Sequence, residues 1–298
     1  MALYAFDGTG NEDRADTEAG GWDSNVLHFF RAFQDPGKDL VEGRDTGSLY
    51  LKGIGQRAKT HTGTVLARAF GIGGHVRLGI MTDRLAANCA AGDTTVDVIG
   101  FSRGAALAVS FANEVAKRFP TLSIRFLGVW DIVGEFGLPG RFFNAGHDLH
   151  MPKNALSCYH AMALDERRVV FQLTRLHEGH GPVDEHPTEV WFRGVHSDVG
   201  GGNGNFGLNW ISLDWMYAAA LRHGLPIDPT AVAANRAHSA RPQDIKEHNV
   251  ALGPRRRVLA GDLLHASVVT DLGHPGRQRN DPAVAVRRVD NDGTIVEA

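Results

Sequence analysis

The chain has 298 residues, with 31 Lys and Arg against 34 Asp and Glu, a formal net charge of -3, and 43% hydrophobic residues. This balance excludes the basic footprint of a nucleic-acid binder, and no apolar run approaches the roughly 20 residues of a membrane-spanning helix. Two cysteines, Cys89 and Cys158, both in stretches read as helical, supply neither a disulfide framework nor a metal knuckle.

The start, Met1-Ala2-Leu3-Tyr4-Ala5-Phe6-Asp7, carries no basic segment and no long apolar run. No cleavable signal peptide is therefore expected, and synthesis in the cytoplasm is. Leu3-Tyr4-Ala5-Phe6 predicts a short buried strand and Asp7-Gly8-Thr9-Gly10-Asn11 a polar loop. Ser24-Asn25-Val26 predicts the start of a helix through Leu27, Phe29, Phe30 and Phe33, and Leu49-Tyr50-Leu51 a second strand. Between Gly53 and Gly74 one helix is predicted from Thr64 to Phe70, and Leu78, Met81, Leu85 and Ala86 predict another from Val76 to Ala91.

Thr95-Val96-Asp97-Val98-Ile99 reads as a strand that runs into Gly100-Phe101-Ser102-Arg103-Gly104, and Ala105-Ala106-Leu107-Ala108-Val109 reads as the helix that leaves it. Farther on, a strand is predicted at 124–130 ending at Asp131, an irregular insertion from Phe136 to Met151, and a helix from about Ala155 to Asp165. Strands follow at Arg168–Leu173 and at Glu189–Val195, the latter ending at His196, then a helix from Ser212 to His223. The order predicts a mostly parallel sheet with helices on both faces, in a single α/β domain over residues 1–298. Residues 225–298 read as a less regular wrap, with Pro226, Pro229, Pro242 and Pro254, a weak strand at Ala266-Ser267-Val268-Val269, and Arg255-Arg256-Arg257 as a solvated turn.

The strand-to-helix setting makes the central pentapeptide a nucleophile elbow, in which a serine sits on a strained turn with glycines on either side. The competing reading is a glycine-rich turn that packs closely or cradles an anion at a helix N-terminus. A serine nucleophile needs a base for its proton and a carboxylate to hold that base. Asp131 and His196 meet the order Ser, acid, His, each at a strand end. Asp198, in the glycine-rich stretch His196–Gly202, is the rival acid, and His265 the rival base among fifteen histidines. The expected oxyanion donors are the backbone N–H of Arg103 and that of Gly8 or Thr9, with Asp7 as a loop organiser. No cofactor is called for.

These segments, namely Phe6–Asn11, Ser24–Val26, Gly100–Ala105, Gly128–Asp131, His160–Arg168 and Trp191–Gly202, together resemble an α/β-hydrolase family long catalogued as a domain of unknown function. That family includes the first class of type VI secretion lipase effectors. The resemblance implies a serine phospholipase or esterase, in the better-known members an antibacterial toxin acting on membrane phospholipids after injection into a neighbouring cell. Carried over by motif, Ser102 matches the nucleophile, Asp131 the acid and His196 the base. It further implies a lipid or ester substrate, peripheral membrane contact, a secretion apparatus and an immunity protein as partners.

Two other classes fit the residues: a metal-dependent hydrolase using Asp7, Asp198 and nearby histidines, and a non-catalytic binding protein on the same fold. Phe136, Phe142, Phe143, Leu208 and Trp210 are candidates both for an acyl pocket and for core.

Overall fold

The computed structural model describes residues 1–9, 23–38, 44–53, 63–134, 147–176, 187–204, 207–239, 245, 253–268 and 279–296, with the side chains of all but 63–72 and 239. In chain order the elements are β1 (Ala2–Phe6), α1 (Asn25–Ala32), β2 (Leu49–Leu51), α2 (Gly63–Ala90), β3 (Val96–Phe101), α3 (Arg103–Arg118), β4 (Ile124–Trp130), β5 (Cys158–Ala163) and β6 (Thr188–Phe192). Then come α4 (His196–Gly200), α5 (Leu208–Arg222), α6 (Pro229–Ser239), β7 (Leu263–His265), β8 (Arg287–Val289) and β9 (Ile295–Val296).

The strands form one sheet in the order β2-β1-β3-β4-β5-β6-β7-β8-β9, parallel throughout except for the β8–β9 pair. Alternation within the strands feeds two separate cores. Leu3 and Ala5 of β1 face one core with α1 and α5, while Ala2, Tyr4 and Phe6 face the other with α2 and α3. Helices on both faces explain why β1 and β3 are buried from end to end and β4 at every position but Arg125. The architecture is that of an α/β-hydrolase-like fold, and parallel strands carry their C-terminal ends to one common edge. Among the described residues no helix is long and apolar enough to cross a membrane.

Four readings of the sequence are corrected. Residues 155–165 hold strand β5, not a helix, and so Cys158 lies in a strand. All six β5 residues are buried between β4 and β6, so no alternation marks them, and burial overrides the helical propensity of Ala and Met. Arg168–Leu173 is irregular rather than a strand, with Val169 and Val170 about half exposed (47% and 50%) and no partner strand beside them among the described residues. The two helices predicted between Thr64 and Ala91 are one, α2, which packs closely at Gly74, where a Cβ would lie 3.0 Å from His147 and 3.2 Å from Leu107 of α3. The strand placed at 266–269 lies instead at Leu263–His265, and Val269 is outside the described residues. Besides β7 the tail adds two strands to the sheet, β8 and β9, and a helix, α6, with Pro229 at its first position, where a missing N–H costs nothing.

Candidate active site

The polypeptide turns sharply from β3 into α3 at Ser102, whose φ of 60° and ψ of -127° lie where a non-glycine residue is strained, at about 1–3 kcal/mol. Backbone bonds hold it there: Ser102 donates its N–H to the Trp130 carbonyl (3.0 Å) and accepts one from Val133 (3.2 Å). Glycines make the turn sterically possible. A Cβ on Gly104 would lie 2.4 Å from the carbonyl oxygens of Phe6 and Asp7, and one on Gly100 would lie 2.7 Å from the Ala105 Cα. The absence of side chains thus brings the loop after β1 against the first turn of α3.

His196 opens α4 rather than ending a strand, since β6 stops at Phe192 and Arg193-Gly194-Val195 carry the chain over the sheet edge. Its Nε2 stands 2.8 Å from Ser102 Oγ, and its Nδ1 stands 2.6 Å from Asp131 Oδ2. All three residues are buried. Phe101 and Phe171 clamp the imidazole, with ring centroids at 4.6 and 4.5 Å. Gly200 makes room for that clamp, because a Cβ there would lie 2.0 Å from the Phe101 ring. The turn carrying His196 is pinned by two acids just past β5: Glu166 accepts the His196 N–H (3.1 Å) and Asp165 accepts the Gly194 N–H (2.7 Å).

Asp131, one residue past β4, has a φ of 42° and a fully buried carboxylate. Its Oδ1 accepts the Ala163 N–H (2.8 Å), and Arg256 reaches both oxygens, at 2.5 Å to Oδ1 and 3.0 Å to Oδ2. Arg256 in turn donates to the carbonyls of Ala163 (2.6 Å) and Phe171 (2.8 Å). Its side chain is only 8% exposed, so the reading of Arg256 as part of a solvated turn is corrected. Burial alone would raise the Asp131 pKa, but the Arg256 and His196 charges and hydrogen bonds outweigh it and hold the carboxyl well below its usual range. Burial pushes His196 below 6.5 against the opposing pull of Asp131, which leaves a neutral imidazole at neutral pH. A neutral imidazole between a hydroxyl and an ionised carboxylate is the arrangement of a general base.

The rival residues are engaged elsewhere. Asp198 accepts the Val195 N–H (3.0 Å) and the Asn203 amide (2.8 Å), an organising role within its own turn. His265 ends β7, four strands from β3 and hence about 19 Å across the sheet. Its nitrogens meet Ser267 (2.7 Å) and Asn291 (2.8 Å). Asp7 accepts from the Gly8 N–H (2.6 Å), from Ser24 Oγ (2.6 Å), the cap of α1, and from the Tyr50 hydroxyl (2.5 Å), as expected of a loop organiser. Gly8 therefore has its N–H directed at Asp7, which leaves Thr9 as the loop amide of the expected pair. Arg103 is the first residue of α3, from which a backbone N–H points out of the helix. Among the described residues no group of three or more His, Cys, Asp or Glu is placed to hold a metal. Leu208 and Trp210 are buried, and Trp210 packs on His28 (4.6 Å) and His238 (5.2 Å); Phe136, Phe142 and Phe143 lie outside the described residues.

Arg256, Asp165, Glu166 and Phe171 are the residues that sequence reasoning missed. Asp165 and Glu166 follow a segment read as a helix, so no strand-end signal marked them. Comparison with known proteins gives a family profile, described as T6SS, phospholipase effector Tle1-like, catalytic domain, that matches residues 3–119 and 114–219. No curated protein matches the chain. Among solved structures, the crystal structure of an uncharacterized protein from Pseudomonas aeruginosa superimposes with a TM-score of 0.57 at 23% identity, over 80% of this chain and 48% of that one. The likeness extends to the fold, and the chain spans about half the length of that neighbour.

Proposed function

This chain belongs to the family of the Tle1-like phospholipase effector catalytic domain of type VI secretion, and from that premise we propose that it hydrolyses acyl esters of phospholipids through a Ser102-linked acyl-enzyme. The observation that carries the reading is the continuous chain of contacts from Ser102 Oγ through the His196 imidazole to Asp131, at 2.8 and 2.6 Å.

In this mechanism Ser102 Oγ attacks the ester carbonyl carbon as its proton passes to His196 Nε2. Asp131 stays ionised, accepts the Nδ1–H, and stabilises the imidazolium. The tetrahedral oxyanion is met by the N–H groups of Arg103 and Thr9, and each such donor contributes about 3 kcal/mol to the barrier reduction. Collapse breaks the bond to the leaving alcohol, which takes the proton from His196. Water then enters, gives a proton to the same nitrogen and attacks the acyl carbon; collapse breaks the bond to Ser102 Oγ, which takes that proton back from His196 as the fatty acid leaves.

Arg256 is a positioning residue here. Its two-pronged grip fixes the carboxylate plane and keeps Asp131 ionised in a buried site, where one charge alone would be costly. The family name further supports delivery by a type VI apparatus, with an immunity protein guarding the producer. The test is a substrate panel, from short p-nitrophenyl esters to phospholipids, on wild type beside Ser102→Ala. Wild type is expected to release fatty acid and the variant to lose about 10⁶ in kcat; undiminished release by Ser102→Ala would overturn the reading.

A further inference from the structure

The segment 253–259 runs without regular secondary structure past the site, and its three successive arginines divide. Neighbouring side chains of extended backbone point to opposite sides. Arg256 turns inward onto Asp131, and Arg255 and Arg257 are exposed. Beside them opens a cavity of about 410 Å³, within the range of small-ligand sites. Three of its lining residues belong to the candidate site as well: Phe171, packed on His196, Glu166, which accepts the His196 N–H, and Arg256.

Charge in this cavity is one-sided. Six arginines line it, and Glu166 is the only acid among the lining residues. Glu166 is taken by Arg168 (2.6 Å), Arg175 is neutralised by Glu189 (2.9 Å) and Asp262 (3.0 Å), and Arg256 by Asp131. Arg255 donates to the Arg279 carbonyl (3.0 Å), and neither Arg255 nor Arg257 meets a carboxylate among the described residues. Arg167, the sixth, donates to the Gly253 carbonyl (3.0 Å). Arg255 and Arg257 are thus two exposed cations at the mouth with no carboxylate beside them among the described residues, although the chain as a whole carries -3. Apolar groups share the same rim: Val169 and Pro254 line the cavity, and Val169 and Val170 are about half exposed. A free inorganic anion has no use for an apolar rim, whereas an amphiphile with a charged head does.

We propose that this arginine pocket receives the phosphodiester headgroup of an anionic glycerophospholipid, with Arg255 and Arg257 setting the preference for anionic over zwitterionic lipid. The assignment rests on the hydrolase reading for its consequence, since a headgroup held there would present its acyl ester beside His196.

Binding can be read without chemistry. Ser102→Ala protein is sedimented with vesicles of phosphatidylcholine alone or containing phosphatidylglycerol, and compared with Ser102→Ala/Arg255→Gln/Arg257→Gln. Loss of two basic residues near an anionic surface is expected to weaken binding to the phosphatidylglycerol vesicles by about thirty-fold and to leave phosphatidylcholine binding unchanged. In the active protein, Arg255→Gln/Arg257→Gln is expected to keep the wild-type turnover of a short p-nitrophenyl ester, which also reports that it folds. Should it not fold, Arg255→Lys/Arg257→Lys is expected to retain anionic-vesicle binding, and raised salt to release wild-type protein. Equal vesicle binding by the arginine variants and their parent would overturn the proposal. So would displacement of the protein from vesicles by soluble glycerophosphate or inorganic phosphate at the concentration of the lipid phosphate. Activity surviving in Ser102→Ala would instead strike the hydrolase reading and leave these vesicle results standing.

Discussion

Arg256 and His196 share one carboxylate: Asp131 Oδ2 lies 3.0 Å from the guanidinium and 2.6 Å from the imidazole nitrogen. The guanidinium and the imidazolium that His196 becomes on protonation compete for the same charge. A bound guanidinium lessens what Asp131 can give to an imidazolium, and the Arg256 charge accordingly lowers the His196 pKa.

Removing that competitor is expected to make His196 more basic. In Arg256→Met the acid limb of kcat/KM should move to higher pH, and Arg256→Lys, which keeps the charge but not the fork, should move it less. Arg256→Met is also expected to lose about 3–5 kcal/mol of stability, because it leaves a buried carboxylate short of a partner. A pH profile of Arg256→Met superimposable on wild type would refute the shared-carboxylate account.

Asp131→Asn should preserve the fold around the site while losing the ionised partner of the Nδ1–H. A drop of about 10⁴ in kcat with little change in KM is expected. A loss confined to KM would assign Asp131 to substrate binding.

Gly104→Ala places a methyl against the backbone carbonyls of Phe6 and Asp7, where no flexible side chain can yield. The loop bearing Thr9 must retreat, so kcat is expected to fall by about 10²–10³, the cost of one oxyanion donor. Wild-type kcat in this variant would remove the β1 loop from the mechanism.

Acid should unfold the protein in a defined window. Burial lowers His196 below 6.5 and brings His265 down to about 4, so the unfolded chain binds these protons first and stability falls as pH drops below 6.5. Asp131, held below the carboxylate range, contributes stability above the ordinary pKa of 3.8 that is lost only at still lower pH. Urea midpoints measured from pH 7 downward are expected to decline through this range; midpoints that rise on acidification would contradict the buried neutral histidines.

The elbow was legible in the sequence because its determinants are local: β-branched residues before Ser102, alanines after it, and glycines where backbone meets backbone. Asp131 and His196 were legible as residues just past apolar strands. Arg256 was not, since its contact with Asp131 spans 125 positions and depends on the path of an irregular tail. Strand β5 was hidden by complete burial, which erases the alternation that marks a half-exposed strand. Val169 and Val170 misled in the opposite sense: a β-branched pair implied a strand, but both are about half exposed and no strand among the described residues offers a ladder there.

The central claim, that His196 and Asp131 make the Ser102 hydroxyl nucleophilic, is tested most directly by fluorophosphonate labelling followed by peptide mass spectrometry. Phosphonylation is expected at Ser102 in wild type, absent from Ser102→Ala and strongly slowed in His196→Ala. An unlabelled Ser102 in protein that still hydrolyses esters would contradict the account.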